Sequence, residues 1–354
     1  MAGSLVLRIG LLAVLASKAW ASCAYGTLLH PRAEEGTVDV NIFGYTGEIG
    51  PTKWVALSAE NALCSTGTNQ SPIDMVDGAF TIIPAAELGL SIPDMPEGTE
   101  FENLGTTVEV VAGEGTMAFG GVTYTLQQFH FHLPSEHLDN GTSMAMEMHM
   151  VWEGAAGEIA VIGAFIDIED GAGGEAGAAP NATAPAAPVN TTPEAVNSTP
   201  EPAATPEAQQ VHRRRDGFLK MLRKKSVKKT QEKRQLPSIQ GHFFLVNTPS
   251  TSVVTASTLL ETVLGSVEEI SEPGTVTKTQ PLIMSELVNT LAAGSFQTYN
   301  GSLTTPPCSE GVRWLVSDQK LSIQTATFSK TRTVIGFNSR FPQGALGEPN
   351  VLQQ

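Results

Sequence analysis

Two short stretches of alternating side chains constrain the fold of this chain more than any other part of its sequence. Gln128-Phe129-His130-Phe131-His132 is followed, after an Asn140-Gly141 pair, by Glu147-Met148-His149. Successive side chains of a β-strand point to opposite faces, so each stretch divides into an imidazole face and a large apolar face. The imidazole face holds Gln128, His130, His132, Glu147, His149 and Val151, and the apolar face holds Phe129, Phe131, Leu133, Met148, Met150 and Trp152.

The Asn140-Gly141 pair predicts how the two strands meet. Asn-Gly is a strong signal for a two-residue hairpin turn. If these residues form that turn, the numbers of facing residues sum to 281, so His132 is expected to face His149. Pro134 is the expected site of any bulge that shifts this pairing. The three imidazoles then converge on one side of a two-stranded ribbon.

The converging histidines indicate a metal site. Three histidines with an open fourth position are typical of catalytic zinc, so His130, His132 and His149 are the predicted ligands. Zinc-bound histidines usually donate their second N–H to a carboxylate or carbonyl, and Gln128 and Glu147 each lie two residues before a predicted ligand. The alternative is a set of histidines satisfied by ordinary hydrogen bonds. That alternative suits a single histidine better than three converging ones.

Further motifs follow one another along the chain. They are Gly44-Tyr45, Gly50-Pro51 with Trp54, Asn69-Gln70-Ser71-Pro72-Ile73, Ser135-Glu136-His137, the run Gly-Ser-Leu-Thr-Thr-Pro-Pro from Gly301 to Pro307, and Asn338-Ser339-Arg340. Together with the histidine strands, and in the same order, these motifs closely resemble an α-class carbonic anhydrase from about Gly44 to Arg340, interrupted by one insertion. The resemblance implies a predominantly β, single domain with a large central, mostly antiparallel twisted sheet and a few short peripheral helices.

The resemblance also implies a function and a set of site residues. The implied reaction is zinc-dependent reversible hydration of carbon dioxide to bicarbonate and a proton, by attack of a zinc-bound hydroxide. Thr304 and Glu136 match the catalytic residues, with the Thr304 hydroxyl donating to Glu136, and Thr304 and Thr305 match the contacts to bicarbonate. Resemblance to secreted members suggests a Cys64–Cys308 disulfide. An apolar wall for carbon dioxide is matched by Val151, Val161, Leu303, Val312 and Trp314.

One position departs from the family pattern. Many members carry a histidine in Asn-x-Gly-His-Thr that shuttles protons to buffer. This chain has Asn103-Leu104-Gly105-Thr106-Thr107 there. Threonine cannot accept a proton near pH 7, whereas histidine can. The sequence therefore predicts an active enzyme whose turnover is limited by proton transfer and depends strongly on buffer.

The beginning of the chain predicts export. Residues 1–21 have the form of a signal peptide, with an apolar run and a cleavage site at Ala19-Trp20-Ala21, and the run is too short to span a bilayer. We therefore expect a secreted, extracellular protein. Residues 22–35 form an N-terminal segment for which a propeptide is one interpretation. Cys23, if it is retained, is an odd thiol that can link two chains into a homodimer.

The composition changes at residue 171. Residues 36–170 and 241–354 are the predicted halves of the catalytic domain, with residues 241–246 re-entering the fold and residues 258–270 forming a helix. The low-complexity and basic insertion at 171–240 has few large apolar residues and is predicted to be disordered. The glycosylation sites predicted from sequons are Asn140, Asn181, Asn190 and Asn197, whereas the sequons at Asn69 and Asn300 are expected to be buried.

Charge is divided unevenly between the insertion and the rest of the chain. Eleven of the 21 Lys and Arg residues lie between Arg213 and Arg234, which leaves 10 basic against 34 acidic residues elsewhere. The acidic remainder argues against nucleic-acid binding. The insertion has three open interpretations: a tolerated surface loop, a contact between the basic block and an anionic wall, membrane or acidic partner, and cleavage at residues 213–215 or 233–234.

Two other functions stay open from the sequence. One is a zinc-binding relative that has lost its activity, although all three histidines, Glu136 and Thr304 are present. The other is an adhesive or wall-binding module that uses the basic block and does not need zinc.

Overall fold

The computed structural model describes residues 24–28, 38–169 and 256–353. Several predictions lie outside these residues: the signal peptide, Cys23, the insertion, the re-entry at 241–246, and the sequons at Asn181, Asn190 and Asn197. Within the described ranges, no helix combines the length and apolar character that crossing a membrane requires.

A large sheet dominates the described residues. It contains eleven strands in the order β10-β3-β4-β6-β8-β9-β12-β11-β2, with β5 paired to β6 and β13 paired to β9, while β1 and β7 form a separate pair. Within the described sheet, β9–β12 and β9–β13 are parallel and the other ladders are antiparallel, which confirms the predicted mostly antiparallel sheet. The strands are β1 (Asp74–Met75), β2 (Thr81–Pro84), β3 (Glu100–Asn103), β4 (Val108–Val111), β5 (Thr116–Phe119), β6 (Val122–His132), β7 (Leu138–Asp139), β8 (Met146–Gly154), β9 (Ile159–Glu169), β10 (Val276–Lys278), β11 (Ser295–Ser302), β12 (Glu310–Ser317) and β13 (Leu321–Gln324).

The helices of the described residues are short. Val267–Ile270 is a 3-10 turn rather than a continuation of the helix that begins at Thr258, because the chain leaves the α-helical path at Ser266. The predicted helix is therefore shorter than expected, although Leu259, Val263, Val267 and Ile270 along the predicted range are all buried. The α-helices are α1 (Trp54–Leu57), α2 (Leu63–Thr66), α3 (Thr258–Gly265), α4 (Met284–Ala292) and α5 (Thr325–Ile335), and the other 3-10 turns are Gly47–Ile49, Ala59–Ala62, Ala85–Leu88 and Val351–Gln353.

Two apolar clusters occupy the two faces of β6 and β8. The larger cluster contains Phe129, Phe131 and Met148 together with the buried side of α3. The smaller cluster contains Val151 and Trp314, on the face that carries the histidines. The predicted division of both strands into an imidazole face and an apolar core face is confirmed.

The predicted pairing of β6 with β8 is wrong by two residues. His130 faces His149, and His132 faces Glu147. The irregularity in the ladder lies between Leu126 and Gln128 rather than at Pro134. A shift of two residues keeps every side chain on its face, because the pleat repeats every two residues. The convergence of the imidazoles therefore survives the error.

The reason for the shift lies in the chain between the two strands. Asn140 and Gly141 do form a tight turn, with φ of 49° and 79°, and Asp139 and Thr142 exchange two backbone hydrogen bonds across it. However, β7 leaves the large sheet and pairs with β1. The turn therefore closes a side excursion of the chain and does not set the β6–β8 pairing.

The parts of the chain before and after the insertion interleave within the sheet. β9 lies before the insertion and pairs with β12 and β13, which lie after it. β2 and β3 likewise pair with the later strands β11 and β10. A disulfide between Cys64 and Cys308, 244 residues apart, joins the two parts again and confirms the predicted bridge.

Candidate metal centre

Three buried imidazoles meet on the imidazole face of β6 and β8. His130 and His132 come from β6 and His149 from β8, and none is more than 1% exposed. Their ring centroids are 4.5–5.4 Å apart. Each ring offers one nitrogen such that the three nitrogens all lie within 4.8 Å of one another. The structure thus brings together all three predicted ligands.

Each imidazole is oriented by a hydrogen bond at its outer nitrogen. His130 Nδ1 lies 2.8 Å from Gln128 Oε1, His132 Nδ1 lies 2.9 Å from the Asn338 carbonyl oxygen, and His149 Nε2 lies 3.0 Å from Glu147 Oε1. All three partners are acceptors, so they favour the tautomer with the proton on the outer nitrogen. The inner nitrogen then carries a lone pair. Gln128 and Glu147 occupy the supporting positions that the sequence predicts.

The inner nitrogens fit a metal ion. His132 Nε2 and His149 Nδ1 are buried and have no hydrogen-bond partner in the described structure. Burial lowers the pKa of all three histidines. For His130 and His132, repulsion from the neighbouring imidazoles lowers the pKa further, and the pKa of His132 falls to about 3. The rings are therefore neutral at pH 7, as metal ligands must be. Three neutral imidazoles are a donor set that suits zinc.

Glu147 connects the ligands to a neighbouring loop. Its Oε1 accepts from His149 Nε2 and from His137 Nδ1 at 2.7 Å, and its Oε2 accepts the N–H groups of Glu136 and His137 at 2.9 and 2.8 Å. Burial opposes ionisation of this carboxyl, but the neighbouring rings of His137 and His149, which donate hydrogen bonds to it, hold its pKa well below the usual value. A Cβ at Gly163 would lie 2.9 Å from Glu147 Oε1, so glycine leaves the carboxylate its space.

His137, Glu147 and His149 form a second close group of polar side chains. Both Glu147 oxygens already accept hydrogen bonds. His137 uses Nδ1 for Glu147 and Nε2 for the Tyr299 hydroxyl at 2.7 Å. This group is therefore a hydrogen-bond network that holds His149 in place, and the metal site is the histidine triad.

Glu136 and Thr304 also meet as the resemblance implies. Both side chains are buried. Burial raises the pKa of Glu136 well above its usual value, while hydrogen bonds from the Thr304 side chain and from the Arg340 backbone N–H, at 2.8 Å, favour its charged form. The Thr304 hydroxyl donates to Glu136, whose Oε1 lies 3.4 Å from His132 Nδ1, so the Thr304 oxygen is left as an acceptor.

An apolar wall lies beside His149. The Trp314 ring centroid is 4.8 Å from that of His149. Thr305 follows Thr304 and is equally buried. The predicted wall residues Val151, Val161, Leu303, Val312 and Trp314 all belong to the same buried apolar cluster.

No described histidine takes the place of the missing proton shuttle. The Thr106 hydroxyl accepts from Asn41 Nδ2 at 2.7 Å, and its carbonyl oxygen accepts from Asn338 Nδ2 at 3.0 Å. Apart from the triad, the described ranges contain only His137, which is buried and bonded at both nitrogens. The described part of the site therefore offers no imidazole that can carry a proton to solvent.

Sequence reasoning alone does not find the roles of Asn338 and Arg340. The Asn338 carbonyl orients His132, and its side chain accepts the Leu133 N–H at 2.6 Å. Arg340 is 2% exposed, and its guanidinium donates to the Ser71 carbonyl and to Gln70 Oε1. Their place in a motif late in the chain is the signal that could have marked both residues.

The sequons of the described residues differ in exposure. Asn140 is exposed, as a glycosylation site requires, and Asn69 is partly buried. Asn300 is exposed, so the expectation that it is buried is wrong. Its side chain points away from the apolar cluster because it alternates along β11 with the buried Tyr299.

Similar proteins identify the family. The family model for eukaryotic-type carbonic anhydrases matches residues 49–173 and 218–348, which is more than half of the chain and includes the whole triad. The chain belongs to this carbonic anhydrase family. A carbonic anhydrase of Neisseria gonorrhoeae is 37% identical over 146 residues, which are 41% of this chain and 52% of that protein. The chain thus spans about half the length of that relative.

Two longer similarities cover most of the chain. A carbonic anhydrase of Pectobacterium carotovorum is 24% identical over 294 residues, 83% of each protein. The solved structure of a fungal alpha carbonic anhydrase from Aspergillus oryzae matches with a TM-score of 0.63 and 27% identity, over 88% of this chain and 98% of that one. The expected α-carbonic-anhydrase fold is confirmed.

Proposed function

We propose that this carbonic anhydrase family member catalyses the zinc-dependent reversible hydration of carbon dioxide to bicarbonate and a proton. The observation that carries the proposal is the histidine triad: each outer nitrogen is bonded to an acceptor, and the inner nitrogens of His132 and His149 are buried without a partner in the described structure. A neutral three-imidazole site with supporting acceptors is built to hold a metal.

His130, His132 and His149 would hold the zinc ion, which would supply a nucleophile by lowering the pKa of a bound water. The Thr304 side chain donates to the Glu136 carboxylate, which leaves the Thr304 oxygen only an acceptor role toward the nucleophile. The hydrogen bond from the Arg340 N–H holds Glu136 in place for this. Thr304 and Glu136 thus orient the reacting oxygen toward the substrate.

The apolar wall determines the class of substrate. Carbon dioxide carries no charge and offers few hydrogen-bonding groups, so an apolar surface can hold it without leaving polar groups unpaired. Trp314 and Leu303 lie in one cluster with Val151, beside His149. Thr305 and the Thr304 backbone are the proposed contacts to bicarbonate.

We also propose that the enzyme is secreted. The sequence around Ala19-Trp20-Ala21 and the Cys64–Cys308 disulfide both suit an oxidising, extracellular setting. Glycosylation at Asn140 is compatible with its exposure. A homodimer linked through Cys23, and a contact of the basic block with an anionic surface, stay predictions about residues outside the described ranges.

Stopped-flow carbon dioxide hydration on the purified protein, with zinc content measured on the same sample, tests the proposal. We expect hydration that rises with zinc content and disappears in His149→Ala. His212→Ala is the matched control, because it removes a histidine from the insertion and should leave hydration unchanged. Zinc bound to the triad without hydration would instead identify a metal-binding relative that has lost its activity.

A further inference from the structure

The end of β6 that carries two of the ligands is held differently along its two edges. On one edge, β8 pairs with β6 as far as His132. On the other edge, the described ladder with β4 ends at His130, which faces Glu109. Phe131 lies between the two ligands, just beyond the end of that ladder, and is fully buried. Buried backbone N–H and C=O groups are nearly always paired, so those of Phe131 require partners other than β4 on this edge.

A threonine hydroxyl supplies the missing partner. The Phe131 N–H donates to Thr107 Oγ1 at 3.3 Å, and the same hydroxyl donates to the Phe131 carbonyl oxygen at 2.6 Å. The Val108 carbonyl oxygen is farther from Thr107 Oγ1, at 3.3 Å, so the single hydroxyl proton is assigned to Phe131. Asn338 Nδ2 also donates to the Phe131 carbonyl oxygen, at 2.8 Å. Thr107, Phe131 and Asn338 are at most 2% exposed, so these bonds are shielded from solvent.

The two groups bonded to Thr107 belong to the two peptide units that join the ligands. The Phe131 N–H is part of the unit that follows His130, and the Phe131 carbonyl is part of the unit that precedes His132. A peptide unit is planar, so holding its N–H or C=O group limits rotation of the whole unit. The directions in which the two histidine side chains leave the backbone depend on these rotations. One hydroxyl therefore controls how the two imidazoles are oriented relative to each other.

We propose that Thr107 is a positioning residue for the metal site. Its hydroxyl holds the backbone between His130 and His132 in the arrangement that zinc binding requires, and the inference rests on the proposed function for the identity of the metal. The acceptors at the outer nitrogens orient each ring separately, whereas Thr107 acts on the backbone that the two ligands share. Removing a supporting partner of a metal ligand typically weakens metal binding 10–100-fold.

Substitution of Thr107 tests the proposal. Thr107→Val keeps the shape of the side chain and removes the hydroxyl, so the Phe131 N–H loses its acceptor while the carbonyl keeps Asn338. We expect the zinc affinity of the full chain, measured by competition with a chromophoric chelator, to fall about tenfold, the lower end of the range for supporting residues. Thr107→Ser keeps the hydroxyl and should retain the parental affinity. Thr107→Ala serves if Thr107→Val does not fold.

A control variant separates positioning from general stability. Thr331 is fully buried in α5, and its hydroxyl donates to the Thr327 carbonyl oxygen at 2.9 Å. Thr331→Val should lower the free energy of unfolding without changing zinc affinity. The visible absorption of bound Co²⁺ depends on the arrangement of its ligands. In the cobalt-loaded protein this spectrum should therefore change in Thr107→Val but not in Thr107→Ser or Thr331→Val.

Neither readout depends on catalysis, so the positioning role and the proposed function can fail separately. Parental zinc affinity in Thr107→Val, or a lower affinity with an unchanged cobalt spectrum, would overturn the positioning role. An equal loss of affinity in Thr107→Ser or Thr331→Val would overturn it as well. Weakened zinc binding and an altered cobalt spectrum in Thr107→Val alone would support the role. If the parent protein then showed no hydration, only the proposed function would be overturned.

Discussion

Replacing Glu147 with glutamine tests how the site is held together. The carboxylate accepts four hydrogen bonds, two at each oxygen: Oε1 serves His149 and His137, and Oε2 serves the backbone N–H groups of Glu136 and His137. A glutamine amide has the same shape, but only its oxygen can accept. Whichever way the amide is turned, its NH₂ group faces two former donors.

The two orientations of the amide have different consequences. If the amide oxygen faces the loop, the NH₂ faces His149, whose proton must then move to the inner nitrogen and block metal binding. If the oxygen faces the histidines, the N–H groups of Glu136 and His137 lose their acceptor. Each hydrogen bond to a charged group contributes about 1.5–3 kcal/mol, so losing two removes about 3–6 kcal/mol from metal binding or from the free energy of unfolding.

Zinc affinity and stability should therefore be measured together. We expect Glu147→Gln to weaken zinc binding by about 10–100-fold in a competition titration with a chromophoric chelator. Any part of the lost free energy that does not weaken zinc binding should appear as a lower free energy of unfolding when the metal-free variant is denatured in urea. Glu158→Gln is the matched control at an exposed position. A Glu147→Gln protein with parental zinc affinity and parental stability would refute the argument.

Three further predictions follow from named contacts. Thr106→His should raise turnover at low buffer concentration on the order of 10²-fold, which is the lower end of what positioned acid–base groups contribute. The variant's turnover, measured by stopped flow, should also depend less on buffer concentration. Equal buffer dependence in the variant and the parent protein would contradict this prediction. Changing Cys64 and Cys308 together to Ser should lower the free energy of unfolding, measured by urea denaturation, by about 2–5 kcal/mol. The parent protein with its disulfide reduced should lose a similar amount. Because the pKa of His132 is about 3 when folded and 6.5 when unfolded, the unfolded metal-free chain binds more protons between these values, so stability should fall as pH falls through this window. In His132→Gln the free energy of unfolding should fall less steeply with falling pH, by up to about 1.4 kcal/mol per pH unit. Parallel plots of the free energy of unfolding against pH for the variant and the parent protein would count against this prediction.

Local patterns in the sequence were enough to predict the faces of the two central strands. Alternation alone assigns His130, His132 and His149 to one side and the large apolar residues to the other, and the structure confirms both. The same pattern places Gln128 and Glu147 beside the ligands. These results depend only on the period of the pleat, which does not change with the exact pairing of the strands.

Features that depend on distant parts of the chain could not be predicted in this way. The Asn140-Gly141 turn does not set the pairing of β6 with β8, because β7 leaves the large sheet to meet β1 more than 60 residues earlier in the chain. His132 is oriented by Asn338, 206 residues away, through a backbone carbonyl that no side-chain pattern marks. Ala24 and Trp314, far apart in sequence, likewise belong to one buried apolar cluster. Such contacts are a property of the folded topology.

The interleaving of the sheet has a consequence for how the protein is made. β9 is an apolar strand whose parallel partners, β12 and β13, are synthesised only after the intervening chain. Roughly 140 residues separate the end of β9 from the start of β12, so at about 5–20 residues per second translation leaves this edge unpaired for on the order of 10 s. An exposed apolar edge is a template for pairing with other chains. Newly made protein should therefore need a chaperone during that interval, and a shorter insertion should reduce aggregation during expression without changing the finished enzyme.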